Sequence, residues 1–187
     1  MENVGTQIIQ LNVNTNQNKE EIEMKKHLYL MMGVPGSGKS TYAKNILKDG
    51  DIYISRDEIR YSLLTEEDDY FAKENEVIKI FIESIDKALE TKEYCGNVYA
   101  DATHLSPKGR AQVLNQLKNK DKVSVIYLDV PFKTIIKRNA ERSGREFVPE
   151  TVIHRMYNSV ILPTRKEGVE ELIIIDENQE VKEVRKL

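Results

Sequence analysis

Eight consecutive residues constrain this chain more than any others. Gly33-Val34-Pro35-Gly36-Ser37-Gly38-Lys39-Ser40 follows an apolar run, HLYLMM, and opens a helical one, KSTYAKNIL. The segment satisfies G-x-x-x-x-G-K-[ST] in the strand-to-helix setting that the motif requires. Glycines at these points let backbone N–H groups converge on an anion at a helix N-terminus, where the peptide dipoles favour negative charge. The plain alternative is a Gly-rich turn with an exposed lysine. That alternative needs neither the strand before nor the helix after, and it leaves the full set of fixed positions unexplained. The pattern implies a cradle for the phosphates of ATP, formed by Gly33, Pro35, Gly36, Ser37, Gly38 and Thr41, with Lys39 as a mobile cation on the β and γ phosphates. Ser40 would ligate the accompanying Mg²⁺. The motif does not separate a kinase from a GTPase, a motor or a regulatory ATPase.

Composition narrows the classes further. At 187 residues and 40 % hydrophobic, the chain has length and apolar content for one core. Lys and Arg number 28 against 31 Asp and Glu, a net charge of −3, which excludes a polybasic coat for nucleic acid or anionic membrane. Aromatics are only 7 % and Trp is absent, so recognition through many stacked rings is not expected. The single cysteine, Cys95, excludes a disulfide framework and fits a reducing compartment. His27, His104 and His154 lack metal-ligand spacing. No apolar run approaches the roughly 20 residues of a membrane helix, and no secretory pattern opens the chain. The expected setting is cytoplasmic, without a membrane partner.

Residues 1–26 are rich in Asn, Gln, Glu and Lys and read as an extension, with one apolar stretch, Ile8 to Val13, fit for an added strand. Residues 27–187 form the expected domain. Strand-length apolar runs at 27–32, 51–54, 96–100, 123–128 and 171–175 alternate with helical patterns at 39–48, 56–64, 69–91, 107–118, 131–142 and 149–160. In the longest helical pattern Phe71, Ile78, Phe81, Ile82, Ile85 and Leu89 form a stripe that predicts core packing. Ser106-Pro107 reads as an N-cap before a first-turn proline, and Ser55-Arg56-Asp57-Glu58 has the form of a capping box. Alternation of strand and helix predicts an α/β fold, a three-layer sandwich around a five-stranded parallel sheet.

The carboxyl ends of parallel strands share one edge, so the residues there are candidates for the site. Ser55 capping a helix places Asp57 in its first turn, where a carboxylate stays ionised and can take a proton from an attacking hydroxyl. Arg60, three residues on, shares that helix face and is a candidate clamp for an anionic acceptor. Spacing alone fits equally an ordinary first-turn acid and a surface ion pair. Asp101 ends the third strand, where it can hold Mg²⁺ through water or orient a neighbour, or merely cap the strand; Thr103 and His104 follow. Residues 131–166 carry eight Lys/Arg against three Glu. Within them Arg138 and Arg142 lie four apart on one helix face, before a Ser143-Gly144 break and a new helix at Pro149. A cationic helix–turn–helix over about 131–160 suits a lid that closes on ATP, although a solvated charged hairpin has the same composition.

These residues resemble the kinase domain of the phage-type polynucleotide 5′-kinases and the kinase modules of bacterial RNA-repair proteins. The resemblance rests on GVPGSGKST, on Ser55-Arg56-Asp57-Glu58-Ile59-Arg60, on Asp101-Ala102-Thr103, and on Asp129-Val130-Pro131 through Lys137-Arg138-Asn139-Ala140-Glu141-Arg142, collinear over roughly residues 27 to 165. It implies an ATP- and Mg²⁺-dependent transfer to a 5′-hydroxyl end of DNA or RNA, while a resemblance to adenylate-kinase-like P-loop proteins implies sheet order 2-3-1-4-5 with the lid after the fourth strand. In that scheme Asp57 is the general base and Arg60 binds the phosphate next to the terminal nucleotide. Lys39, with Arg142 and Arg138, stabilises the transferring phosphoryl group, while Asp101 supports the site alongside Ser40. Thr103 stands where some members carry Asn. No D-x-D-G-T phosphatase segment is present, so the implied protein is a kinase alone. Residues 57–93 hold twelve acids against five bases, which would repel a long polyanion and restrict contact to its terminus. A small alcohol acceptor (a nucleoside or a sugar nucleotide) and an ATP-binding module without transfer are the competing expectations.

Overall fold

The computed structural model describes residues 26–91 and 96–187. The proposed extension, its Ile8 to Val13 strand and Cys95 lie outside the described residues, Lys26 excepted. The strands are β1 (His27–Met32), β2 (Ile52–Ser55), β3 (Val98–Asp101), β4 (Lys122–Leu128), β5 (Glu171–Ile175) and β6 (Val181–Lys186). The helices are α1 (Lys39–Ile46), α2 (Arg56–Leu63), α3 (Glu74–Glu90), α4 (Pro107–Leu114), α5 (Phe132–Ala140) and α6 (Glu150–Asn158). Two short 3₁₀ turns, Gly144–Glu146 and Arg165–Glu167, complete the described elements.

The sheet runs β2-β3-β1-β4-β5-β6. Its first five strands are parallel and in the expected order, with β1 in register between β3 (Leu30 beside Ala100) and β4 (Leu30 beside Val125). The sheet is not five-stranded, however. β6 pairs antiparallel with β5, making six strands and a mixed sheet. A turn over Asp176–Glu180 closes this hairpin: Asp176 Oδ1 accepts from the backbone N–H groups of Asn178 and Glu180, both at 2.9 Å. Every residue of β6 is exposed, so its sequence, VKEVRK, lacks the apolar run that marks a covered strand.

Consecutive residues of β1 and β3, which point to opposite faces, are almost all buried, so the central strands are covered on both sides. The core contains Leu28, Leu30, Val98, Val125, Ile135, Ile153 and Leu172. From α3 come Phe81, Ile82, Ile85 and Leu89. Phe71 departs from the expected stripe. α3 begins at Glu74, residues 70–73 form turns, and Phe71 is 67 % exposed.

Local signals fix the helix starts. Ser55 Oγ accepts from the Glu58 N–H at 3.2 Å, and Ser106 Oγ accepts from the Gly109 N–H at 3.1 Å. Only half of the Ser55 capping box forms, because the Glu58 carboxylate turns to Lys44 Nζ at 2.8 Å. Pro131 and Pro149 each stand one residue before their helix rather than inside it.

Candidate active site

The phosphate loop spans the turn from β1 to α1. Gly33 has φ +152°, and its N–H donates to the Thr103 carbonyl at 3.1 Å, tying the loop to the segment after β3. A Cβ at Gly33 would stand 2.7 Å from Ser37 Oγ, and one at Gly36 (φ +84°) would stand 3.0 Å from the Ile135 carbonyl oxygen. Both positions therefore require glycine. The buried Ser37 Oγ finds no hydrogen-bond partner among the described residues. Concave glycine backbone and a spare hydroxyl fit the phosphates that the motif implies.

Lys39 and Ser40 open α1. Lys39 Nζ donates to the Val34 carbonyl at 3.3 Å. Burial lowers the Lys39 pKa, Asp101 and Asp57 oppose the drop, and the positive charge of Arg142 adds to it. Lys39 and Arg142 both line the same cavity, two cations that suit an anionic ligand there. Ser40 Oγ donates to Asp101 Oδ2 at 2.5 Å, and the Tyr53 hydroxyl donates to the same oxygen at 2.6 Å. Burial first, and then the Asp101 charge, pushes the Tyr53 phenol well above its ordinary range. No cluster of three or more His, Cys, Asp or Glu able to hold a metal occurs among the described residues. Ser40 and Asp101 nevertheless offer the hard oxygen donors that Mg²⁺ takes when nucleotide phosphates and water complete its shell.

Across the cleft, α2 and the start of α3 form a second wall. Arg60 is buried, at 4 % exposure, and Nη2 donates to Glu74 Oε2 at 2.7 Å. Its Nη1 donates to Asp57 Oδ1 and lies 3.0 Å from the Tyr70 hydroxyl. The Tyr70 hydroxyl itself donates to Asp57 Oδ1 at 2.8 Å. Tyr70 also presents its ring to the Arg60 guanidinium, 4.5 Å from centroid to Cζ. Arg56 pairs with the other Glu74 oxygen. Both side-chain hydrogen bonds to Asp57 fall on Oδ1, which leaves Oδ2 open among the described residues, on a side chain 61 % exposed.

One cavity of about 490 Å³ joins the two walls. Pro35, Lys39, Ser40, Asp101 and Thr103 line one side, and Asp57, Arg60, Tyr70 and Glu74 line the other. The α5–α6 hairpin covers it with Arg142, Arg145 and an apolar group of Phe147, Val148, Pro149, Val152 and Met156. Phe71, misread as core, is part of this lining.

Most of the residues singled out in the sequence thus come together. Arg138 does not. Its guanidinium donates to the Ser37 carbonyl at 3.1 Å and the Glu177 carbonyl at 2.9 Å, and it is not among the residues lining the cavity. It buttresses the phosphate loop instead. His104 faces inward: it is buried, lies 2.9 Å through Nδ1 from the Met31 carbonyl, and burial depresses its pKa to about 4. Tyr70, Glu74, Arg145 and Phe147 were not anticipated. The one sequence signal is the adjacent pair Tyr70-Phe71 inside an acidic run.

The AAA domain family matches residues 28–163 of this sequence. The chain belongs to that family. A candidate bifunctional polynucleotide kinase/RNA ligase of Autographa californica nuclear polyhedrosis virus is 30 % identical over 149 residues, 71 % of this chain. The chain spans only 20 % of the length of that relative. Among solved structures, a sugar kinase from Janibacter sp. HTCC2649 superposes with a TM-score of 0.58 at 20 % identity, over 83 % of this chain and 87 % of the other. A chain of the Pnkp1/Rnl/Hen1 RNA repair complex gives 0.57 at 23 % identity, over 72 % of this chain and 43 % of the other. A gluconokinase from Sinorhizobium meliloti 1021 gives 0.54 at 16 %, over 84 % and 85 %. At these identities the structures establish a shared α/β fold.

Proposed function

We propose that this chain is an ATP- and Mg²⁺-dependent kinase that transfers a γ-phosphoryl group to a 5′-hydroxyl end of DNA or RNA. The observation that carries the reading is the open Asp57 carboxylate oxygen in the same cavity as Lys39 of the phosphate loop. An acceptor hydroxyl seated between them gives its proton to Asp57 as its oxygen attacks the γ-phosphorus, in line with the departing oxygen of ADP. Lys39 and Arg142 offset the charge that develops on the phosphoryl oxygens. Mg²⁺, held by Ser40 and by Asp101, supplies further charge neutralisation when bound. The α5–α6 hairpin acts as the lid that excludes water.

Two features support a nucleotide end as acceptor. The viral relative carries polynucleotide kinase in its name, and the cavity lining includes two exposed aromatic rings, Phe71 next to Tyr70 and Phe147 on the hairpin, at 67 % and 49 % exposure. A base needs such a surface, whereas a sugar seeks hydrogen-bonding groups. Thr103 and Asp101 line the near side, where the terminal ribose would sit. Among the described residues no helix is long and apolar enough to cross a membrane. A cytoplasmic setting is part of the proposal.

A second reading, phosphorylation of a small alcohol, is favoured by a different observation. Arg60 already serves Glu74 and Asp57, so binding an acceptor phosphate requires it to share those partners. The sugar kinase and the gluconokinase also match most of both chains. Labelled ATP offered with a 5′-hydroxyl oligonucleotide, a 3′-nucleoside monophosphate, a nucleoside, a sugar nucleotide and gluconate separates the readings. The proposal expects label on the first two. Label on a small alcohol alone overturns it, and ATP binding with no transfer to any acceptor points to a nucleotide-binding module.

A further inference from the structure

We propose that Arg145 is a positioning residue that couples the α5–α6 hairpin to the orientation of Asp57, a role that rests on the kinase reading above. Arg145 lies on the 3₁₀ turn Gly144–Glu146, three residues beyond Arg142. Its Nη2 reaches across the cavity to three backbone carbonyls of the loop between α2 and α3: Thr65, Glu66 at 3.1 Å and Asp68 at 3.0 Å. These partners are 77 to 80 residues away in sequence, and the run Glu66-Glu67-Asp68-Asp69 adds negative charge around them. Gly144, at φ +56°, supplies the left-handed turn just before Arg145.

The loop that Arg145 grips is itself folded on Asp68, whose Oδ2 accepts from the Thr65 N–H at 2.8 Å and the Thr65 hydroxyl at 3.0 Å. Two residues further on is Tyr70, whose hydroxyl donates to Asp57 Oδ1. A continuous path therefore runs from the hairpin through the loop to the proposed base. The hairpin closure that brings Arg142 to the phosphates is the same movement that lets Arg145 engage the loop. Closure on the nucleotide side and alignment of the base on the acceptor side become one event. Lysine retains charge and three donors but not the planar fork, so it preserves the carbonyl contacts better than alanine does.

The test uses the full chain and the variants R145A, R145K, Y70F and R145A/Y70F. Hydrogen exchange at amides 64–73 is measured beside steady-state phosphoryl transfer to a 5′-hydroxyl oligonucleotide. The proposal expects faster exchange across 64–73 in R145A and near wild-type exchange in R145K. It expects kcat to fall about tenfold in R145A, the worth of one charge-assisted hydrogen bond, with the KM for ATP changed less. R145K restores most of that loss, and the double variant is no slower than the slower single variant. Unchanged exchange at 64–73 in R145A overturns the proposal, as does a double variant whose losses multiply. If the wild type labels no acceptor, the kinase reading fails, while the exchange comparison still decides the contact.

Discussion

Two buried arginines on different elements divide this molecule into scaffold and site. Arg110, on α4, is wholly buried and its donors are engaged: Nε and Nη2 bind the two Glu167 oxygens at 2.7 and 3.1 Å, and Nη1 donates to the carbonyls of His104 and Ile161, both at 2.9 Å. Arg60, on α2, is almost as buried, yet its Nε has no partner among the described residues, and neither has the Nε of Arg56 beside it. A saturated guanidinium is a staple between chain segments. A buried guanidinium with one nitrogen left unpaired on a cavity wall is a less complete staple, at a cost in stability.

The contrast yields its largest expected effect at the staple. Arg110→Met leaves the Glu167 carboxylate without its partner and lowers the unfolding free energy by about 3–5 kcal/mol, measured by denaturant titration. The transfer rate per folded molecule stays at the wild-type value. Arg60→Ala reverses this pattern. It raises the acceptor KM about a hundredfold, the loss of a charge-assisted contact, and costs less stability than Arg110→Met because Glu74 keeps Arg56. An equal loss with charged and uncharged acceptors would contradict a clamp role for Arg60.

What was legible in the sequence follows the same division. The phosphate loop is contiguous, and its geometry depends on glycine, so GVPGSGKS announces it. The five parallel strands announce themselves because burial on both faces demands unbroken apolar runs. β6 escaped because an exposed edge strand carries charges, and Phe71 was assigned to the core because helical spacing was carried through a segment of turns. The other side of the cavity adds Tyr70, Glu74, Arg145 and Phe147 to the Asp57 and Arg60 that the Ser55–Arg60 spacing offered, and these additions come from distant segments. No local spacing joins Arg145 to Thr65, and only the folded chain brings them together.

A smaller effect concerns pH. Burial holds the His104 pKa near 4 against 6.5 in the unfolded chain, and His27 is held near 4 by burial and by Lys122. Both imidazoles are neutral in the folded protein, while the unfolded chain takes up protons below about 6.5. Their contribution to stability is present above pH 6.5 and is lost as the pH falls from 6.5 toward 4. Chemical denaturation across that window checks it. His104→Gln should flatten the slope by about one proton, and an unchanged slope would mean that His104 is protonated in the fold. The smallest effect is expected at Lys44 and Glu58, an ion pair more than half exposed on both sides. Lys44→Ala should shift stability by at most about 0.5 kcal/mol.

The central claim is that Asp57 takes the acceptor's proton opposite the phosphate loop, and Asp57→Asn tests it most directly. Transfer of labelled γ-phosphate and ATP affinity are measured on the same preparation. Transfer should fall by about 10²–10⁴-fold with ATP affinity unchanged, because asparagine keeps the shape of the side chain and removes the base. Transfer at the wild-type rate, or a loss of ATP affinity parallel to the loss of transfer, would contradict the claim.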